Sequence, residues 1–199
     1  SKNANESFLV ERMRIAAASG AGDNDTAAKS FEALAASGKV SAADKARMAE
    51  SISGGYYRAK DYAKAVEALT DEFRGIFGRQ YDPWVEEFMT DGADVVFFMQ
   101  GGHAVTARYA IRHMRERGAK VGLVRLRTIR PYPTERVADV LSKFKVVGVI
   151  ETNMSLGCVS SGGVLYAEVC AALYESTQRP LVVSFMAGLG GEAIVLKEF

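Results

Sequence analysis

Apolar positions in the second half of the chain fall into short, nearly continuous runs separated by stretches of helical periodicity. VVFFM (Val95–Met99), VGLVRLRT from Val121, VVGVIE (Val146–Glu151) and LVVSFMA from Leu181 are rich in β-branched and aromatic residues. Strands covered on both faces require such runs. After the first run, Ala104, Ala107, Ile111 and Met114 recur at helical spacing, with arginines on the other face and Gly118 as the stop. After the second, Val137, Val140 and Leu141 mark a short helix with Thr134 as its cap. After the third comes the loop TNMSLGCVSSGG, then a helix carrying Leu165, Val169, Ala172 and Leu173 on one stripe. This alternation predicts an α/β domain over residues 81–199, an open, mostly parallel sheet with helices on both faces. The second strand runs into RPYP, where Pro131 and Pro133 lock φ and lack N–H donors, so the strand stops there. Pro131 also biases Arg130 toward extended geometry. Pro180 opens the last strand, and the glycines of GLGG, which follows it, make a turn.

Residues 1–80 follow a different pattern and read as an Ala-rich helical segment. Phe8–Ala18 forms a short helix ending at Gly20, and Asp25 or Thr26 caps a second that runs to Ser37–Gly38. Ser41 precedes a third, SAADKARMAESI, which stops at Gly54–Gly55. The fourth, Asp61 to Phe77, has Val66, Leu69, Phe73 and Ile76 at helical spacing and Gly78 as its stop. The first three hold few large apolar groups and bury little alone, so they are expected to pack on the C-terminal domain or another chain. Between the two regimes, DPWVEEFMTDGAD (82–94) has five acids and no base, interleaved with Trp84, Val85, Phe88 and Met89. It reads as a surface linker with its aromatics tucked onto the domain, the alternative being a partner contact.

Composition narrows the classes. A chain of 199 residues, 48% hydrophobic with net charge +1, can bury a sizeable core and has no global pull toward nucleic acid or membranes. No apolar run reaches the ~18–20 residues that span a bilayer, and SKNANESFLVERMR lacks a signal-peptide core. The missing initiator Met fits a processed chain or a piece of a longer one. Cys158 and Cys170 are too far apart for a Cys-x-x-Cys site, and two thiols alone hold no iron–sulfur cluster. They read as reduced thiols of a cytoplasmic protein, with a disulfide as the alternative.

Four places carry candidate chemistry. Gly101-Gly102 lies between a strand and a helix start, where N–H groups and the helix dipole hold an anion; a tight turn that needs glycine is the commoner reading. His103 opens that helix with no sequence partner for catalysis. Residues 103–130 contain eight Lys or Arg against Glu116 alone, with Arg108, Arg112 and Arg115 on one helix face. That face is either solvated or an electrostatic docking patch for an acidic partner or anionic cofactor; nucleic acid is a weak third choice. Arg127 and Arg130, then Glu151-Thr152-Asn153, follow strands at the edge where ligands of parallel sheets collect. For Arg127 and Arg130 a structural bridge is the commoner role, and one carboxylate, Glu151, makes no acid/base pair. Gly22-Asp23-Asn24 faintly echoes the metal-binding start of a thiamine diphosphate site but lacks a preceding strand, and is discarded.

From Phe77 onward, FGRQY, GADVVFFMQGG, KVGLVRLRTIRPYP, VIETNMSLG, GGVLYAEV and AGLGGEAI occur in one order. Together they resemble the transketolase-C-terminal-like domain of the thiamine-diphosphate-dependent 2-oxoacid:ferredoxin oxidoreductases, the pyruvate:ferredoxin oxidoreductase superfamily, as found in its alpha subunit. Gly102 stands where these enzymes commonly place serine, and Glu151-Thr152 where Asp-Arg is common. The resemblance implies a supporting domain that builds subunit contacts and helps shape access for substrate or coenzyme A. It further implies that thiamine diphosphate, Mg²⁺ and iron–sulfur clusters are carried by other domains or chains, and that ferredoxin or a similar acceptor takes the electrons. On this reading no residue here is catalytic, and Gly101, Gly102, Arg127, Arg130 and Asn153 are ligand or interface contacts. Two rival readings are a non-enzymatic module docking an acidic protein through its arginine face, and part of a transketolase or lipoamide-linked 2-oxoacid dehydrogenase.

Overall fold

The computed structural model describes residues 3–157, 162–195 and 199, and the chain forms two compact units, Ser1–Pro83 and Trp84–Phe199. Each is built from local signals that long-range contacts then select.

The first unit contains α1 (Ala4–Ala21), α2 (Asn24–Ala36), α3 (Ala42–Arg58) and α4 (Tyr62–Phe77). Each starts behind an Asn, Asp or Ser cap. Asn3, Asp23, Ser41 and Asp61 accept the backbone N–H of Asn5, Thr26, Asp44 and Lys64, which would otherwise lack partners. The cap of α2 is therefore Asp23, and Asp25 and Thr26 lie inside the helix. α1 extends beyond the expected Phe8–Ala18 at both ends, because Asn3 and Glu6 form a capping box and Gly22, at φ 76°, ends it in the left-handed region. The expected stop at Gly54–Gly55 is also corrected, since α3 runs on to Arg58. Gly55 serves contact rather than termination: a Cβ there would lie 2.2 Å from Asn24 Oδ1.

These helices do build a core of their own. Ile15, Ala18, Ala27, Phe31, Leu34, Ala49, Ile52, Tyr56 and Ala65 bury one another, with Phe8, Val40, Met48 and Ala68 packed against them. Small alanines let α4 lie close against its neighbours, so Ala65 and Ala68 turn inward. The stripe expected to be buried faces out instead, with Leu69 50% and Ile76 56% exposed.

The second unit runs β1 (Val85–Phe88), β2 (Val95–Gln100), α5 (His103–Glu116), β3 (Val121–Leu126), α6 (Thr134–Leu141), β4 (Val146–Glu151), α7 (Val164–Leu173), β5 (Leu181–Met186). The sheet order is β1-β3-β2-β4-β5, with β1 antiparallel to β3 and every other pairing parallel. It is thus an open, mostly parallel α/β sheet. On one face, Met99, Val121, Leu123 and Ile150 pack with Ala104, Ala107 and Ile111 of α5. Alternation sends Val96, Phe98, Val124, Val147 and Val149 to the other face, all fully buried. Val137, Val140, Leu141, Leu165 and Val169 of α6 and α7 are buried as well.

Two expectations for this unit need correction. Residues 82–94 are not a surface linker: VEEF is an edge strand in register with Leu123–Leu126, and Trp84 and Val85 are buried. The following turn passes close over β3 at Gly122, where a Cβ would meet Met89 O at 2.9 Å. Thr134 is the first residue of α6 rather than its cap; Pro133 holds the cap position and no side chain caps the helix. The Arg130–Pro131 peptide bond is cis.

Candidate functional site

Between β2 and β4 the chain order reverses. β2 leads through α5 to β3 on one side, while β4 lies on the other, so their carboxyl ends diverge around a crevice. A depression of about 350 Å³ occupies this place, lined among others by Gln100, Gly101, His103, Arg127, Glu151 and Thr152. Gly101 makes the turn out of β2 at φ 76°, a conformation glycine adopts without steric cost. Gly102 is the N-cap of α5 and offers no side chain to close the first turn.

Of the five residues singled out beforehand, Gly101 and Arg127 meet in this depression, with Gly102 beside it. Arg127 follows β3; its backbone N–H donates to Trp84 O at 2.8 Å and its guanidinium to Glu86 at 2.9 Å. Arg130 lies outside the lining and bridges the RPYP bend to α7, donating to Glu168 Oε1 at 2.6 Å. Asn153 accepts the Val164 N–H at 3.2 Å, which makes it a cap of α7.

Glu151 is 3% exposed, and its carboxylate accepts the backbone N–H of Gly163 (2.9 Å), Leu165 (2.9 Å) and Tyr166 (3.0 Å). A buried carboxylate needs such partners, and the start of a helix supplies unsatisfied N–H groups with favourable dipole. Gly163 is required there, because a Cβ would fall 2.2 Å from Glu151 Oε2. Nearby, Tyr132 Oη is buried without a hydrogen-bond partner, and burial above all pushes its pKa upward.

The arginine-rich stretch is turned to internal contacts. Arg108, Arg125 and Arg127 converge on Glu86, and Arg136 pairs with Glu87. Arg112 and Arg108 lie over the Phe88 ring. Arg115 donates to the carbonyls of Val121 (2.6 Å), Met89 (2.5 Å) and Asp91 (2.8 Å), which ties the β1–β2 turn to β3. Glu86 and Glu87 are the partners of these arginines that sequence reasoning missed. The available signal was an acid-only run, 82–94, followed closely by a base-rich run, 103–130.

A second depression, about 560 Å³, lies over β2, β4 and β5 and is walled by Phe97, Ile150, Phe185, Leu189, Ile194 and Phe199. Its GLGG wall holds the 3-10 turn Leu189–Gly191. Among the described residues no group of three or more His, Cys, Asp or Glu is placed to hold a metal ion. Among the same residues no helix is long and apolar enough to cross a membrane. The disulfide alternative depends on Cys158, which lies outside the described residues.

Three comparisons with known proteins bear on this unit. The family model described as pyruvate:ferredoxin oxidoreductase core domain II matches residues 93–199. Pyruvate synthase subunit PorA of Pyrococcus horikoshii is 36% identical over 131 residues, which are 66% of this chain and 32% of the relative. Ketoisovalerate oxidoreductase subunit VorA of Pyrococcus abyssi is 32% identical over 146 residues, 72% of this chain and 36% of the relative. The chain therefore spans about a third of the length of these relatives. A solved 2-oxoglutarate:ferredoxin oxidoreductase from Magnetococcus marinus, with 2-oxoglutarate, coenzyme A and succinyl-CoA bound, is 18% identical. It covers 68% of this chain and 22% of that one, at a TM-score of 0.42.

Proposed function

We infer, from a chain that belongs to the pyruvate:ferredoxin oxidoreductase core domain II family, that it serves as a supporting domain or subunit of a multi-subunit 2-oxoacid:ferredoxin oxidoreductase. The observation that carries this reading is the family match across the α/β unit, joined by relatives that are subunits of pyruvate synthase and ketoisovalerate oxidoreductase. The holoenzyme would decarboxylate a 2-oxoacid such as pyruvate oxidatively and pass electrons to ferredoxin or a similar acceptor.

Thiamine diphosphate with Mg²⁺ and iron–sulfur clusters supply carbanion and electron-transfer chemistry in such enzymes. The described residues do not fit these groups. The Asp23 side chain of Gly22-Asp23-Asn24 is occupied as the cap of α2, accepting the Thr26 N–H at 3.0 Å. A cluster is commonly held by about four cysteines, and the sequence has two. We place these groups in other domains or chains and route no step through this one.

What this chain does on that reading is hold shape. Arg130 on Glu168 ties the RPYP bend to α7, Glu151 on the first N–H groups of α7 ties the end of β4 to the same helix, and Gly101 with Arg127 present the open crevice to a ligand or a neighbouring subunit. The rival docking module has less support, because Arg108, Arg125 and Arg127 face Glu86 and Arg115 faces backbone carbonyls.

Native mass spectrometry with iron and thiamine analysis of the complex purified through this chain tests the reading. Larger subunits, iron and thiamine are expected. A colourless chain recovered alone, thiamine without iron, or keto-acid turnover by this polypeptide unaided would each overturn it.

A further inference from the structure

We propose that the free edge of β5 pairs with β5 of a second copy of this chain, antiparallel across a two-fold axis at Ser184, so that two five-stranded sheets become one. The inference rests on the strand edge itself and does not need the assembly reading.

β5 is the last strand of the sheet, and among the described residues no strand pairs with its outer side. Its register fixes which backbone groups face outward. Leu181 N–H donates to Lys145 O at 2.9 Å and Ala187 N–H to Glu151 O at 3.1 Å, both on the β4 side. In a parallel pair this recurs at every second residue, so the backbone of Val183 and Phe185 also turns toward β4. The N–H and C=O groups of Val182, Ser184 and Met186 therefore point to the open edge. Such a row is a template for an added strand.

The two edges of the sheet are guarded differently. β1 carries two acids, Glu86 and Glu87, in four residues. β5 has neither charge nor proline in its six, LVVSFM, and exposes Leu181, Phe185 and Met186. Proteins protect edge strands with charge, proline, bulges or a cover. An apolar edge of this length calls for the cover.

The occupant is a second copy because the edge is complementary to itself. Antiparallel pairing centred on Ser184 sets Val182 of one copy opposite Met186 of the other, and Ser184 opposite its counterpart. All three outward residues then take hydrogen-bonded positions and exchange about six bonds. No like charges meet along the strand. The nearest charged residues in sequence are Arg179 before it and Glu192 after it. Arg179 donates to Ser176 O and lies over the Tyr174 ring, which keeps its charge near that end of the strand. Antiparallel pairing brings the Arg179 end of one copy to the Glu192 end of the other. Ser184 adds an independent observation: its Oγ is buried without a hydrogen-bond partner. The residue itself is half-buried at the rim of the sheet, so a χ1 rotation turns the hydroxyl to the axis. Directly opposed residues project to the same face, where paired serine hydroxyls hydrogen-bond. The orphan hydroxyl thus gains a partner that every second copy carries.

The test is sedimentation equilibrium of the full chain at micromolar concentrations, joined to amide-resolved hydrogen exchange at low and high chain concentration. A dimer is expected. The amides of Val182, Ser184 and Met186 should exchange at least tenfold more slowly at high concentration, while those of Val183 and Phe185 are protected at both. Ser184→Lys puts like charges at the axis and should weaken association at least tenfold. Val182→Pro removes one outward N–H, leaves the donors to β4 in place and should weaken association severalfold. Trp84 fluorescence and circular dichroism of both variants should match the parent. Should Ser184→Lys fail to fold, Val182→Pro and the exchange rates decide. A monomer at every concentration, a dimer whose outward amides exchange at an unchanged rate, or association unmoved in Val182→Pro would overturn the proposal. Protection that appears only with a different subunit bound assigns the edge to that subunit and overturns it as well. Self-association is read on this chain alone, so its failure leaves the assembly reading intact.

Discussion

Glu151 shows how much a single side chain organises at the strand ends. It terminates β4, and its buried carboxylate caps a helix that begins thirteen residues later in the chain. Replacing it by alanine leaves the N–H groups of Gly163, Leu165 and Tyr166 without their acceptor. We expect Glu151→Ala to lower stability by about 3 kcal/mol, and Glu151→Gln, which keeps one acceptor oxygen, by clearly less. Urea denaturation checks both. Gly163→Ala should cost as much as the alanine variant, since its Cβ would occupy the carboxylate's place. In the helical unit, Asp25 makes a pH prediction. Hydrogen bonds from Lys64 first, then Tyr56, hold its carboxyl below the ordinary 3.8. A lowered folded value means the stabilisation is present above the unfolded pKa and fades as pH falls through the folded one. Melting temperature between about pH 2 and 5 should therefore fall more steeply in the parent than in Asp25→Asn. Parallel curves would remove this assignment.

At the scale of elements, two adjacent glycines inside α3 should respond with opposite sign. A Cβ on Gly54 meets Arg58 Nη1 at 3.4 Å, an ordinary contact, whereas one on Gly55 meets Asn24 at 2.2 Å. Gly54→Ala should stabilise the helical unit by roughly 0.5–1 kcal/mol, through reduced backbone entropy of the unfolded chain. Gly55→Ala should destabilise it, since Asn24 must leave its place at the start of α2. Helix α5 makes a matching pair of predictions. Arg112 contacts aromatic faces, while Arg115 donates to three carbonyls across the β1–β2 turn. Arg115→Ala should cost about 2 kcal/mol or more, and Arg112→Ala under about 1. Equal costs in thermal melts would show that the carbonyl contacts contribute nothing.

At the scale of the whole molecule, near-neutrality conceals two opposed blocks: the acids of 82–94 and the bases of 103–130. The fold sets them against one another through the β1–β3 pairing, in which Glu86 lies opposite Arg125. Glu86→Lys should thus disrupt the α/β unit alone. The single tryptophan, Trp84, is buried in that unit and reports on it by fluorescence, while far-UV circular dichroism also follows the helices of the first unit. The fluorescence transition should move to lower temperature and the helical signal of α1–α4 should persist. Coincident loss of both signals would mean that the two units unfold as one.

Continuous apolar runs made β2, β3 and β4 readable, because a strand covered on both faces favours apolar residues along its length; β5 carries the same kind of run but is an edge strand with Leu181, Phe185 and Met186 exposed. The helices between them were readable for the same reason of period. Strand β1 was not, since four residues with two acids in the middle carry too little pattern, and its pairing depends on a partner more than thirty residues away. Nor was the inward face of α4. Leu69, Phe73 and Ile76 have the spacing of a core stripe, yet the space beside α3 admits alanine. Within the crevice, Gly101 and Arg127 could be placed from their positions at strand ends, while Arg130 and Asn153, which share that feature, bond to α7 instead.

By itself the sequence determined which segments are strands and helices and the α/β class, because period and local capping chemistry act within a few residues. Only the tertiary structure decided which charges meet and which carboxylate lies buried. It also decided where the crevice opens. These depend on strand order and on contacts between distant residues, whose separation along the chain leaves no local trace.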